Sequence, residues 1–260
     1  MRWLLLLLLL AGCGGGGGSD SNNTVTPPPA PRVVDYTFFG QADTAVTAPF
    51  TSVYHAVDWG PAGAQESIKL RIIDELQQAK ARGIKKFIVS TGFLMLDAQC
   101  NYLGNTALAA FKVQLDALGL DVWMVYPKDE PDVAGCSGAT MAQVYQGTKA
   151  VFPNARIGVI YGPNGATPGI DQVTDAGRDN YGHGPQSLNL RPDQHLMIVA
   201  GGADPYREDV QQYVNYAEAH ADVSVVWAFL YVDYAGGKGI GTNGTLPAYR
   251  SAGCALTQKC

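Results

Sequence analysis

The charged residues that end one apolar stretch are the leading candidates for chemistry in this sequence. Val122–Tyr126 is apolar and aromatic, which is typical of a buried strand, and it is followed by Lys128, Asp129, Glu130 and Pro131. Charged side chains are costly there unless they face a wet cleft, and a proline cannot continue a sheet. Carboxyl groups placed in a cleft bind hydroxyls and transfer protons, so the segment predicts acid–base chemistry. Because side chains alternate along a strand, only one of Asp129 and Glu130 is expected to point into the cleft.

Other polar and aromatic residues follow further strand-like stretches. They are His55, Asp58, Trp59, Asp97, Asp179, Tyr181, Asp204, Tyr231 and Asp233. Carboxylates and aromatic rings dominate this set. Aromatic rings stack on the apolar faces of sugars and carboxylates bind their hydroxyls, so the set predicts a carbohydrate site. Histidines are few and scattered, and we therefore expect neither a metal nor a cofactor.

The elements that position these residues alternate between strand and helix from Val33 onward. Strands are predicted at 35–40, 52–60, 85–96, from 122 to a terminus at 130, and at 156–161, 174–182, 195–200 and 223–232. Helices are predicted at 64–82, 106–118, 140–152 and 207–220, with a last one from about residue 247. This alternation predicts a single α/β domain over 33–260, a (β/α)8 TIM barrel with its active site at the carboxyl ends of the strands. An open doubly wound sheet is the alternative, but the glycine-rich phosphate turn expected after its first strand is not visible.

The motif Asp129-Glu130-Pro131 resembles the end of the fourth strand in clan A glycoside hydrolases. That strand ends in Asn-Glu-Pro in the clan, with the glutamate as general acid/base, and the resemblance implies this role for Glu130. The segments 179–182 and 227–231 are similar to the aromatic and polar segments that line such clefts. The resemblance therefore implies hydrolysis of a glycosidic bond in a poly- or oligosaccharide.

The seventh strand departs from the clan's pattern. The clan places its nucleophilic glutamate at the end of that strand, whereas residues 198–203 contain no carboxylate and the first one is Asp204. Retaining enzymes need two carboxyl groups about 5 Å apart, and inverting enzymes tolerate roughly 6.5–9.5 Å. We favour Asp179 as the second catalytic group beside Glu130, because it shares a strand face with Tyr181. The alternatives are Asp58, Asp204 and Asp233. The residues expected to bind the sugar are Asp58, Trp59, Asp129, Tyr181, Tyr231 and Asp233.

Structural roles compete with several of these assignments. An ion pair between Lys128 and Glu130 would lower the pKa of the carboxyl group and hinder its work as an acid. Asp58 and Asp179 are also typical turn residues. Asp204 is expected to cap the helix that begins near residue 207.

Two further residues are predicted to be structural. His55 alternates with apolar residues, which favours a hydrogen-bonded core histidine over a catalytic one. Trp227 is expected to pack in the core, which leaves Trp59 and Tyr231 as the better platforms for a sugar.

The first thirteen residues indicate export and lipidation. One positive charge, a leucine run too short to span a bilayer of about 30 Å, and small residues before Cys13 are typical of an export signal. Leu10-Ala11-Gly12-Cys13 resembles the lipobox of bacterial lipoproteins, which implies a signal peptide at 1–12, acylation of Cys13 and a tether at 13–32. The following Gly14 implies passage to the outer membrane. An ordinary signal peptide with a spare cysteine is the alternative.

The remaining cysteines predict two disulfides in an oxidising compartment. Cys100 and Cys136 follow consecutive strands, so we expect them to pair on one rim, and Cys254 with Cys260 would close the C-terminal tail. Metal binding is the rival interpretation, although no CxxC or paired-histidine spacing supports it.

Composition excludes one class of function. The net charge is −5 and only 16% of the residues are charged, without a basic cluster, so we expect no nucleic-acid partner. We expect a monomeric, lipid-anchored glycoside hydrolase. The alternative is a saccharide-binding or cell-envelope lipoprotein that kept the barrel and lost its catalytic residues.

Overall fold

A computed structural model describes residues 32–60, 63–163 and 165–260 of the chain, and in these residues eight parallel strands form the centre. The strands are β1 Asp35–Phe39, β2 Val53–Ala56, β3 Lys86–Ser90, β4 Val122–Tyr126, β5 Arg156–Tyr161, β6 Asp175–Arg178, β7 His195–Gly201 and β8 Val223–Phe229. They pair in the order β1-β8-β7-β6-β5-β4-β3-β2. This order is that of a nearly closed (β/α)8 TIM barrel, and it confirms the predicted fold class.

Helices lie between the strands, on the outside of the barrel. The described residues contain α1 Thr44–Thr47, α2 Gln65–Ala81, α3 Gly92–Met95, α4 Thr106–Ala117, α5 Gly138–Val151, α6 Val210–Ala219 and α7 Leu246–Thr257. A 3-10 helix at Ile170–Gln172 replaces a full helix between β5 and β6. The long helix α2 buries Ile68, Ile72 and Leu76 on one face, as its apolar spacing predicts.

The barrel closes where β1 meets β2. No ladder pairing joins these two strands in the described chain. Instead the Ser52 N–H donates to the Tyr36 carbonyl at 3.1 Å, and the Tyr36 N–H donates to Ser52 Oγ at 3.0 Å. One serine therefore bridges the seam at the start of β2.

Two apolar layers hold the strands, one inside the barrel and one under the helices. In β5, Ile157 and Val159 pack under the helices, while Ile160 packs inside. Gly158 also belongs to the inner face, where an added Cβ would lie 2.4 Å from the sulfur of Met124. The inner layer also contains Trp227, which is fully buried and so confirms its predicted core position.

A charged network fills the amino end of the barrel. Lys86 pairs with Asp35 at 2.7 Å, and Arg156 pairs with the fully buried Asp175. The ring of Trp123 lies between the two cations, 5.1 Å from Lys86 Nζ and 5.0 Å from Arg156 Cζ. Both cations are paired with carboxylates, so we assign this end of the barrel a structural role. The candidate catalytic residues lie at the opposite end, where the strands have their carboxyl ends.

Several predicted boundaries were wrong. The strand predicted at 52–60 ends at Ala56, and the one predicted at 85–96 ends at Ser90 and continues as helix α3. Helix α6 begins at Val210 and is capped by Asp209, whose carboxylate accepts from the Gln211 N–H. Asp204, which the sequence predicts as the cap, forms an ion pair instead.

Both predicted disulfides are present. Cys100 and Cys136 are joined with their Cα atoms 5.3 Å apart, and Cys254 and Cys260 with theirs 5.2 Å apart. The first bridge ties the loop after β3 to the loop after β4 at the carboxyl rim.

Within the residues that the structure describes, no helix is both long enough and apolar enough to cross a membrane. Cys13, the predicted signal peptide and nearly all of the predicted tether lie outside these residues.

Candidate active site

Glu130 lies at the carboxyl rim of the barrel, just beyond β4. Its backbone N–H donates to the Ile160 carbonyl at 2.9 Å, which ties it to β5. Its φ of 41° is in the left-handed region, so the chain has left the strand conformation at this residue. The prediction that alternation would separate Asp129 from Glu130 was therefore wrong. Both carboxyl groups act on the same neighbour, Asp179, and raise its pKa.

Asp179 follows β6 and is only 6% exposed. Its backbone N–H donates to the Tyr161 carbonyl at 3.0 Å, and the Tyr181 hydroxyl donates to its Oδ2 at 2.9 Å. The charge of Glu130 raises the pKa of Asp179, so the two carboxyl groups are close neighbours. We call them the Glu130–Asp179 pair.

Asp129 completes a cluster of three acidic groups, which we call the carboxyl cluster: Asp129, Glu130 and Asp179. The Tyr126 hydroxyl donates to Asp129 Oδ1. The pKa of Asp129 is raised to about 7, mainly by burial and also by the charges of Glu130 and Asp58, against the opposing effect of the Tyr126 hydrogen bond. Burial likewise raises the pKa of Asp179 to about 8, with the charge of Glu130 as the next cause. At neutral pH Asp179 is therefore mainly protonated and Asp129 is near the midpoint of its titration.

The two members of the Glu130–Asp179 pair differ in how easily a ligand reaches them. Glu130 is half-buried and Asp179 is buried, so Glu130 is the member of the pair that a ligand reaches more easily.

An arc of aromatic rings, here called the aromatic rim, crosses the same end of the barrel. Trp59 and Phe229 both pack against Phe39 with centroids 5.7 Å apart. Tyr181 stacks on Phe229 at 4.8 Å and contacts Tyr206 at 4.9 Å. Trp59 and Tyr206 are 38% and 45% exposed at the two ends of the arc. Rings presented in this way offer stacking surfaces for sugars.

The barrel is similar to those of two glycoside hydrolases of known structure. Active domain 2 of a chitinase from Pyrococcus furiosus superposes with a TM-score of 0.57 and 12% identity, over 88% of this chain and 97% of that one. The catalytic domain of an Ignisphaera aggregans protein of family GH53 gives 0.51 and 13%, over 86% and 91%. The chain shares the (β/α)8 barrel fold of these two proteins. No protein-family model matches the sequence and no curated protein is significantly similar to it, so the likeness is one of fold.

In this barrel, the carboxylates that follow β7 are engaged in structural contacts. Asp204 pairs with Arg207. Glu208 Oε2 accepts from the Gly201 N–H at 2.6 Å and from the Tyr213 hydroxyl at 2.7 Å, while its Oε1 accepts two backbone N–H groups from the loop after β6. Neither carboxylate occupies the role that the clan gives to its seventh-strand glutamate.

Two of the predicted sugar-binding residues have other contacts. Tyr231 packs edge-on against Phe38 with centroids 5.3 Å apart. Asp233 Oδ1 accepts from the Gly239 N–H at 2.9 Å and from the Thr242 hydroxyl, and so holds its own loop. Their binding role stays a prediction that these contacts do not support.

Asp58 and Lys128 lie beside the carboxyl cluster. Asp58 Oδ2 accepts from the Phe93 N–H at 3.3 Å, and burial raises its pKa while the charge of Lys128 opposes the rise. In the described residues, Lys128 forms no ion pair with Glu130. The competing interpretation of Glu130 as a lysine-paired carboxylate is therefore not supported.

His55 is a core residue, as its sequence context favours. Its Nε2 lies 3.0 Å from Ser90 Oγ, and its ring packs against those of Tyr126 and Trp227. Burial lowers the pKa of His55 to about 3, so the imidazole is neutral. Among the described residues, no group of three or more histidine, cysteine or acidic side chains is arranged to hold a metal ion.

Three residues of the aromatic rim were missed by the sequence reasoning. Phe39 and Phe229 are the last residues of β1 and β8, so listing aromatic as well as polar residues at strand ends would have identified them. Tyr206 lies in a loop, and no sequence signal marks it.

Proposed function

We propose that this protein is a glycoside hydrolase that acts on a poly- or oligosaccharide, with Glu130 as the general acid. Glu130 and the buried Asp179, beside the aromatic rim, carry the proposal. A sugar stacked on the rim would bring its glycosidic oxygen to the half-buried Glu130. Acting as the acid, Glu130 gives its own proton to that oxygen as the glycosidic bond breaks and is left as a carboxylate, while the neighbouring Asp179, whose pKa is raised to about 8, keeps its proton.

A second group must activate the attacking water. We assign this step to Asp129. Its pKa of about 7 lies near neutral pH, where a general base is most effective. Its hydrogen bond from Tyr126 fixes the orientation of the carboxyl group.

The test replaces Glu130 and Asp179 separately. Glu130→Gln and Asp179→Asn keep the size of each side chain and remove its acidity. We expect each to reduce the release of reducing sugar from a responsive glycan by about 100-fold or more, the usual range for lost acid–base catalysis. Glu66→Gln, on the exposed surface of α2, is the matched control. Unchanged turnover in Glu130→Gln, with its thermal unfolding also unchanged, would reject the assignment.

A non-catalytic saccharide-binding protein is the second candidate. The carboxylates after β7 are held in structural contacts, which favours this candidate. Binding of a glycan by the wild-type protein, with no release of reducing sugar from any member of a broad panel, would select this candidate over the hydrolase.

We further propose that the barrel is anchored by lipid on Cys13 in the outer membrane and works there as a monomer. The support is the lipobox-like segment before Cys13 and the glycine that follows it. Its carbohydrate partner would then be a glycan of the cell envelope or of the surroundings.

A further inference from the structure

A groove is lined by residues of the segments that follow β2, β3 and β4. Its volume is about 620 Å³. Trp59, Phe93 and Leu103 give it an apolar and aromatic wall, and Asp58 and Lys128 lie on the side next to the cluster. We call it the side groove.

The carboxylates of the side groove are already hydrogen-bonded. Asp97 Oδ1 accepts from the backbone N–H groups of Gln99 and Asn101 at 2.9 and 2.8 Å, and its Oδ2 accepts from the Asn101 amide at 2.9 Å. Asp58 accepts from the Phe93 N–H. Both carboxylates are thus turned toward the protein, so they repel an anionic ligand less than free carboxylates would.

Lys128 differs from the other half-buried lysines of the described chain. The other three each form an ion pair, Lys69 with Glu66 at 2.5 Å, Lys86 with Asp35 at 2.7 Å and Lys112 with Asp116 at 2.5 Å. Lys128 makes neither an ion pair nor a hydrogen bond within the residues that the structure describes. Its charge acts on the carboxyl groups of Asp58 and Asp129 without forming a salt bridge to either.

A half-buried ammonium group that donates no hydrogen bond is costly. A lysine kept in this state at the wall of a groove has three donors directed at whatever binds there. The groove also offers Trp59 as a stacking surface, so a ligand with a sugar ring and an anionic substituent matches both features.

We propose that Lys128 binds the anionic substituent of an acidic sugar in the side groove, next to the bond that Glu130 cleaves. This inference rests on the proposed glycan-processing function and names its substrate class. A uronic acid carboxylate and a sulfate ester share the required chemistry. The neighbouring Asp58 and Asp129 then serve to keep Lys128 oriented by their charge, as its influence on the pKa of both indicates.

The experiment measures binding by the full chain carrying Glu130→Gln, so that turnover does not interfere. The probes are oligosaccharides from pectate, alginate and hyaluronan, each beside its carboxyl-reduced neutral form, and a sulfated galactan oligosaccharide. Titration calorimetry should show at least one acidic probe binding about tenfold more tightly than its neutral form, as expected for a charge-assisted hydrogen bond. A uronate probe or the sulfated probe will identify which anion is recognised.

Substitution of the lysine supplies the decisive comparison. Lys128→Met should abolish the preference for the acidic probe, and Lys128→Arg, which keeps the charge, should retain part of it. Lys85→Met, an exposed lysine at the opposite end of the barrel, should have no effect. A matching thermal unfolding curve shows that each variant is folded.

The outcomes separate this inference from the proposed hydrolysis. The inference is overturned if no acidic probe binds more tightly than its neutral form, or if Lys128→Met keeps the preference for the acidic probe. This holds even if the wild-type protein hydrolyses a neutral glycan in a reaction that depends on Glu130. If acidic probes bind through Lys128 and the wild-type chain releases no sugar, the inference stands and the hydrolase proposal fails.

Discussion

Burial makes the carboxyl groups of Asp129 and Asp179 at the rim of this barrel more stable when they hold protons. Tyr126 and Tyr181 each donate a hydroxyl to one of them, to Asp129 and Asp179 respectively, and these bonds favour ionisation. Burial outweighs both bonds, and the pKa of each aspartate is raised. The repulsion between these carboxyl groups grows with each proton that they lose. The carboxyl cluster that we propose for catalysis therefore lowers the stability of the fold at high pH.

This opposition predicts how the stability of the protein depends on pH. The pKa of Asp179 is raised from 3.8 to about 8, so its contribution to stability is fully present below about pH 4 and is lost as the pH rises through about 8. Asp179→Asn removes this loss. Urea unfolding should show the variant gaining on the wild type by a few kcal/mol between pH 5 and pH 9. Asp74→Asn, at an exposed helix position, is the control, and curves for Asp179→Asn that stay parallel to the wild type would contradict the predicted burial of charge.

At the scale of elements, the sequence predicts the strands and helices better than it predicts their ends. The helical spacing of apolar residues in α2 and the apolar runs of β4, β5 and β8 are strong signals of secondary structure, because one or both faces of each element are buried. The ends depend on tertiary contacts. The stretch after Ser90 is apolar and extends the strand pattern. It nevertheless folds as helix α3, which buries Leu94 and Met95.

The site shows the same division. Placing Glu130, Asp129 and Asp179 at the carboxyl rim required only that each follow a strand, and that part of the prediction agrees with the structure. Their mutual contact was not predictable, because it depends on the left-handed turn at Glu130 and on the backbone bond to Ile160. Tyr231 and Asp233 also follow a strand, but Asp233 accepts a hydrogen bond within the loop after β8 and Tyr231 packs against Phe38 of β1.

The two disulfides should stabilise the fold to different extents. Cys100–Cys136 closes a loop with a sequence separation of 36, and Cys254–Cys260 one of 6. In the chain-entropy model these loops correspond to about 4 and about 2 kcal/mol. Denaturant unfolding of Cys100→Ala/Cys136→Ala and of Cys254→Ala/Cys260→Ala measures both values. An equal or larger loss for the C-terminal bridge would show that local contacts, rather than loop entropy, set its contribution.

The whole chain combines a barrel domain with an N-terminal lipobox-like segment, and we expect the two to have separate roles. The barrel has its own apolar layers and a charged network at its amino end, and both are built from residues 32–260. The lipobox-like segment lies outside these residues. We expect the place of the protein in the cell to depend on that segment.

Changes at residues 13 and 14 test this separation. Cys13→Ser removes the thiol that lipid would modify, so it should abolish labelling with palmitate and release the protein from the membrane fraction. Gly14→Asp keeps the thiol, and in a Gram-negative host it should hold the labelled protein at the inner membrane. Both variants should retain the thermal unfolding temperature of the barrel, because its packed layers are built from residues 32–260. Palmitate labelling that persists in Cys13→Ser would place the modification elsewhere and remove the basis for an anchor at this cysteine.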